Sequence, residues 1–116
     1  MPDGQGRRKY KRIKAIVLLD VYRKGEYAPA GRGCITDISL GGCGFESTAQ
    51  FKTGDEVVLV FTLPNKKTFS IEGIIKRVGR STGTLSYGVQ FKDMSFFKKL
   101  KLRFLIPTLA NAGREE

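Results

Sequence analysis

Two short stretches carry the side chains best suited to hold a ligand. Arg8 and Arg12 stand four residues apart in the run Arg7-Arg8-Lys9-Tyr10-Lys11-Arg12, and Asp37, Ser39, Gly41 and Gly42 share the stretch Asp37-Ile38-Ser39-Leu40-Gly41-Gly42. An arginine fork donates two parallel hydrogen bonds to a phosphate or to the O6/N7 edge of guanine, and its plane can stack on a base. A base edge that presents N–H donors needs a carboxylate or hydroxyl acceptor. Asp37 and Ser39 are such acceptors, two residues apart, so on an extended segment they face the same way. Gly41 and Gly42 permit backbone conformations closed to other residues and leave room for a base ring to approach. Each stretch also has a plainer reading: a basic, unstructured arm for the first, and for the second a turn whose Asp and Ser bond to nearby amides. Neither plainer reading accounts for the other stretch, so their joint occurrence favours ligand binding.

Composition points the same way. Lys and Arg number 21 against 11 Asp and Glu, a net charge of +10, which calls for a polyanionic partner: nucleic acid, a nucleotide or an anionic membrane surface. The chain has no histidine and two cysteines, Cys34 and Cys43. That leaves no His-based acid/base or triad chemistry and no zinc set. With no nucleophile–base pair and no Walker-type phosphate loop either, the expectation is a binding protein and not an enzyme, with no catalytic residue, metal or cofactor. The cysteines read as small, half-buried residues on neighbouring strands. No apolar run reaches the roughly 20 residues of a membrane helix. Met1 is followed by polar, Gly-rich sequence without a signal-peptide pattern, so a cytoplasmic location is expected.

The elements that must position these residues follow from hydrophobic periodicity. Apolar and β-branched alternation predicts strands at 13–22, 32–39, 42–47, 56–63, 68–78 and 84–91, separated by Gly- and Pro-containing turns. In the last of these, Leu85, Tyr87, Val89 and Phe91 face one way, and Ser86, Gly88 and Gln90 the other. The period then changes: Phe97, Leu100 and Phe104 form a helical stripe, with Lys98, Lys99, Lys101 and Arg103 mostly away from it. Asp93 or Ser95 is placed to cap a helix of about three turns, and Pro107 to stop it. The domain reading is a flexible basic arm over 1–12, a barrel plus helix over 13–107, and a tail over 108–116. The fold class is mostly β, a six-stranded antiparallel β-barrel with a C-terminal α-helix, since closure removes exposed strand edges.

The spacings RxxxR and DxSxxG, in that order and about 25 residues apart, resemble the signature of the PilZ family. The likeness extends to the split-barrel pattern of six strands, the terminal helix and the YGVQF strand at 87–91. The resemblance implies a stand-alone receptor for the second messenger cyclic di-GMP, with Arg8, Arg12, Asp37, Ser39 and Gly42 matching the family's binding residues and Gly41 beside them. It further implies two stacked ligand molecules per protomer. Four phosphate charges in one pocket would favour a third cation, so Arg7 is expected to bind as well, its other reading being a solvated member of the run. The implied mechanism is that ligand draws the mobile arm onto the bend at Asp37–Gly42, and an unidentified downstream protein in motility, biofilm or virulence control reads the ordered state.

Two alternatives stand beside it. A general nucleic-acid-binding barrel would display aromatics along a basic groove, whereas the alternation of Phe61, Phe69, Tyr87 and Phe91 points to burial and argues against nucleic acid. A PilZ scaffold without ligand binding would lack one of the two motifs, and both are present. Tyr10 is open between stacking on a base and anchoring the arm. Phe96, Phe97 and Phe104 read as helix–barrel packing, and the basic helix face reads as solvated or as a docking surface.

Overall fold

Alternating side chains decide which surface of each strand is buried. The computed structural model describes residues 13–62, 66–92 and 96–113. Here the chain forms β1 (Ile13–Arg23), β2 (Gly31–Ile38), β3 (Gly42–Ser47), β4 (Glu56–Thr62), β5 (Thr68–Ser81), β6 (Thr84–Phe91) and α1 (Phe96–Gly113). All pairings are antiparallel, and the order β1-β2-β3-β6-β5-β4 closes into a barrel through β1 and β4. The expected fold class is the one that forms. β5 outruns its expected end and reaches Ser81, because the reversal falls not at Gly79 but at Thr82-Gly83, where Gly83 takes a left-handed φ of 77°.

The barrel interior is filled from every strand. Leu19 and Val21 of β1, Ile35 and Ile38 of β2, Phe45 of β3, Leu59 and Phe61 of β4, Ile71 and Ile75 of β5, and Tyr87 and Val89 of β6 are all buried. The Tyr87 ring meets Phe45 and Phe51 at centroid distances of 5.1 and 5.4 Å. Its hydroxyl donates to the Ala49 carbonyl at 2.8 Å and accepts from the Phe51 amide at 3.0 Å. One side chain thus satisfies its polar tip while tying the segment after β3 to the core. On the surface, Glu56 accepts hydrogen bonds from Lys92 and Lys24, both at 3.0 Å, and these cations hold its carboxyl below the usual range.

Alternation breaks at two places that matter later. Ile35 pairs with Phe45 but Asp37 pairs with Gly44, so Thr36 is an additional residue, a β-bulge in β2. Ile75 pairs with Val89 but Arg77 pairs with Gly88, so Lys76 is the corresponding extra residue in β5.

The helix departs from its sequence reading in two ways. It packs on β1 through Leu102, which is fully buried, and Ile106, with Leu105 partly buried beside them. Phe104, expected in the packing stripe, is 72% exposed, and Leu100 is also exposed. Residues two apart on a helix point in nearly opposite directions at about 100° per residue, so seating Leu102 and Ile106 turns Phe104 outward. Lys101, expected on a solvated basic face, leans over the Phe69 ring at 5.5 Å. The helix also runs through Pro107 to Gly113, so residues expected as tail are helical. Proline removes one hydrogen bond, but here it sits at an exposed position just after buried Ile106, and the residues beyond it continue the helix. The candidate caps Asp93 and Ser95 lie outside the described residues.

Replacing Leu102 with Ala should destabilise the protein by about 2–5 kcal/mol in urea unfolding, as large-to-small changes at sealed sites do. Phe104→Ala should stay within about 0.5 kcal/mol of the parent. Equal losses for the two would contradict this seating of the helix.

Candidate functional site

The two bulges change which face of the barrel wall the residues behind them occupy. In β2, Ile35 and Ile38 are buried three positions apart, which sends both Thr36 and Asp37 to the outer surface. In β5, Lys76 and Arg77 are consecutive exposed residues after buried Ile75. Cross-strand pairing aligns the results in one row: Lys14 with Asp37, Asp37 with Gly44, Gly44 with Gly88, and Gly88 with Arg77. The middle of that row carries no side chain.

Both flanking side chains lean over this glycine floor. A Cβ on Gly44 would lie 2.6 Å from Asp37 Oδ1, and one on Gly88 would lie 3.0 Å from Arg77 Nε and 3.1 Å from Nη2. Over the floor is a hollow of about 480 Å³, bordered by Thr36, Asp37, Arg77, Gly79 and Ser86, within the roughly 300–1,000 Å³ range of small-molecule sites. A smaller hollow of about 180 Å³ continues past Lys76 and Gln90 to Gly41. A third, of about 500 Å³, meets the first at Val78 and Gly79 and is bordered by Arg80, Thr84 and Leu85. β5 therefore supplies Lys76 and Arg77 to the outer depression, whereas Arg80, paired with Leu85, lies on the other face with Val78 and Tyr87. Among the described residues, Arg77 has no hydrogen-bond or ion-pair partner.

The structure separates the residues of the DxSxxG stretch. Asp37 lines the hollow. Ser39 does not: it is 3% exposed, its hydroxyl donates to the Gly42 carbonyl at 3.3 Å and accepts from the Gly41 amide at 3.2 Å, and its own amide donates to Gly42 at 2.8 Å. The expectation that Asp37 and Ser39 share a face fails because β2 ends at Ile38, so strand alternation stops before Ser39. Neither Gly42 nor Gly41 uses the left-handed backbone that glycine permits. The described glycines with left-handed φ are Gly25, Gly54 and Gly83. At Gly42 a Cβ would lie 2.1 Å from the Val89 carbonyl oxygen, so the missing side chain lets β3 and β6 approach. Gly41 borders the smaller hollow, and its carbonyl accepts from the Phe91 amide at 2.9 Å.

Arg7, Arg8 and Arg12 lie outside the described residues. The next residue in the chain is placed: Ile13 pairs with Ile38, so the polypeptide enters the barrel beside the bend that carries Asp37.

The family description "PilZ domain" matches residues 6–106. The chain belongs to the PilZ family. A search of curated proteins finds no match to the sequence. Among solved structures, the chain is similar to the PilZ domain of YcgR from Escherichia coli with cyclic di-GMP, at TM-score 0.76 and 20% identity, covering 94% of this chain and 95% of that one. It is also similar to the cyclic di-GMP complex of MrkH from K. pneumonia (TM-score 0.70, 18% identity, 94% and 55% covered). A third is the inhibitor of motility MotI/DgrA from Bacillus subtilis (0.69, 18%, 92% and 55%). The chain spans about half the length of the last two. At these identities the likeness establishes the PilZ fold.

The PilZ match includes both motif stretches, but the sequence reading missed Arg77. A signal was available: the polar doublets Thr36-Asp37 and Lys76-Arg77 each interrupt an apolar strand, as a bulge does. Among the described residues, no helix is long and apolar enough to cross a membrane.

Ser39 and Gly42 both hold the bend together, so changing either should cost stability. Ser39→Ala should cost about 1–3 kcal/mol by leaving the Gly41 amide without its acceptor, and Gly42→Ala a similar amount or more through overpacking against β6. Unfolding midpoints equal to the parent's would show that the bend does not depend on them.

Proposed function

We propose that this PilZ domain is a receptor for cyclic di-GMP that clamps its ligand between the N-terminal arginines and the outer barrel wall at Asp37. The observation that carries this reading is the Ile13–Ile38 pairing: the first residue after RxxxR in the sequence stands beside the DxSxxG bend. Covalent geometry gives Arg8 a reach of at most roughly 18 Å from Ile13. The depression from β2 across β3 and β6 to β5 is three strand spacings wide, about 14 Å. The arm is therefore long enough to lay Arg8 and Arg12 over a ligand resting on the glycine floor.

The charges are complementary. Cyclic di-GMP brings two phosphates to a protein of net charge +10, and Arg8, Arg12 and Arg7 offer forks for phosphate or for the O6/N7 edge of guanine. Asp37 offers the acceptor for a guanine Watson–Crick edge. We assign two stacked ligand molecules per protomer, with Arg7 offsetting the crowded phosphates. Binding orders the arm, and a downstream partner protein reads that change. A general nucleic-acid role is less well supported, because Phe61, Phe69, Tyr87 and Phe91 are all buried and give no stacking platform.

Isothermal titration with cyclic di-GMP tests the clamp. The parent should bind tightly with two molecules per protomer. Arg8→Ala and Arg12→Ala should each lose about 1.5–3 kcal/mol for every charged hydrogen bond removed. Unchanged affinity in both variants would overturn the clamp.

A further inference from the structure

We infer that Arg77 reads a guanine base of the ligand, as a specificity residue contributed by β5 outside both sequence motifs; this rests on the cyclic di-GMP reading above. Four observations converge on it. The Lys76 bulge sends Arg77 to the outer wall, where it is exposed and without a polar partner among the described residues. Its Nε and Nη2, the atoms of one bidentate donor edge, lie closest to the position a Gly88 Cβ would take, at 3.0 and 3.1 Å. That edge is thus directed over the floor and not away into solvent.

The floor itself is the third observation. Gly44 and Gly88 are direct cross-strand neighbours, and Gly79 borders the same hollow. A flat ring needs such a bare surface to lie close to the backbone, whereas a compact phosphate does not. The fourth is the partner across the floor: Asp37 approaches from β2 as Arg77 approaches from β5. Their backbones are three strand spacings apart, about 14 Å, so that the two side chains, which now reach over Gly44 and Gly88, can hold opposite edges of one base by drawing back from the floor.

The chemistry selects guanine. An arginine fork matches the paired acceptors O6 and N7, while adenine presents N7 beside an N6 amino donor and is repelled by the same fork. Lysine at this position would keep the charge but lose the two-pronged geometry.

The test compares cyclic di-GMP with cyclic di-AMP by calorimetry on the parent, Arg77→Ala and Arg77→Lys, with Arg8→Ala as reference. Arg77→Ala should weaken cyclic di-GMP binding roughly 10- to 100-fold while leaving cyclic di-AMP binding, however weak, within about twofold. Arg77→Lys should not restore the preference. Equal losses for the two dinucleotides with rescue by lysine would assign Arg77 to phosphate charge and overturn the inference. Parent-like affinity in both Arg77 variants, with Arg8→Ala impaired, would overturn the inference and leave the clamp standing. A parent that fails to bind cyclic di-GMP would end both.

Discussion

A β-strand can present only every other residue to solvent unless its register slips, and this barrel slips twice where it matters. The bulges at Thr36 and Lys76 free Asp37 and Arg77 from the alternation that would otherwise aim one of each polar pair at the core. Between them, the paired glycines Gly44 and Gly88 keep the wall flat. Lys76 and Arg77 both border the depression because the bulge keeps the two of them on the outer face. The bulges cost ladder regularity, and the filled interior of Phe45, Ile75, Tyr87 and their neighbours keeps the sheet closed around them.

Holding the site and forming it are divided among different residues. Ser39 and Gly42 look like ligand contacts in the sequence, yet their visible work is internal: one ties the bend through its hydroxyl, the other lets β3 and β6 meet. Asp37 is the member of the stretch that borders the hollow. Loss of binding on changing Ser39 or Gly42 would therefore mix folding with recognition, whereas a change at exposed Arg77 leaves the hydrogen bonds of the bend untouched. The buried Leu102 and Ile106 sit on the helix and line none of these hollows.

Much of this was legible in the sequence because burial imposes a period of two. Five of the six strands fell within a residue of their expected bounds, and the YGVQF strand buried Tyr87, Val89 and Phe91 as its pattern required. The helix face was not legible, since apolar residues fall on opposite sides at Leu100/Phe104 and Leu102/Ile106, and the barrel surface decides which pair is seated. Proline at 107 was read as a stop because its local cost is visible in sequence while its exposed setting is not. Arg77 was passed over for a similar reason: a basic residue within a strand reads as a solvated face until the pairing shows what lies beside it.

A ligand lying on the glycine floor between Asp37 and Arg77, as proposed, can be located by two-dimensional amide NMR during titration with cyclic di-GMP. The amides of Thr36, Asp37, Gly44, Arg77 and Gly88 should shift most, and those of Leu102 to Ile106 least. Shifts confined to the helix face at Leu100 and Phe104, or to the hollow at Thr84 and Leu85, would place the ligand elsewhere and contradict the account.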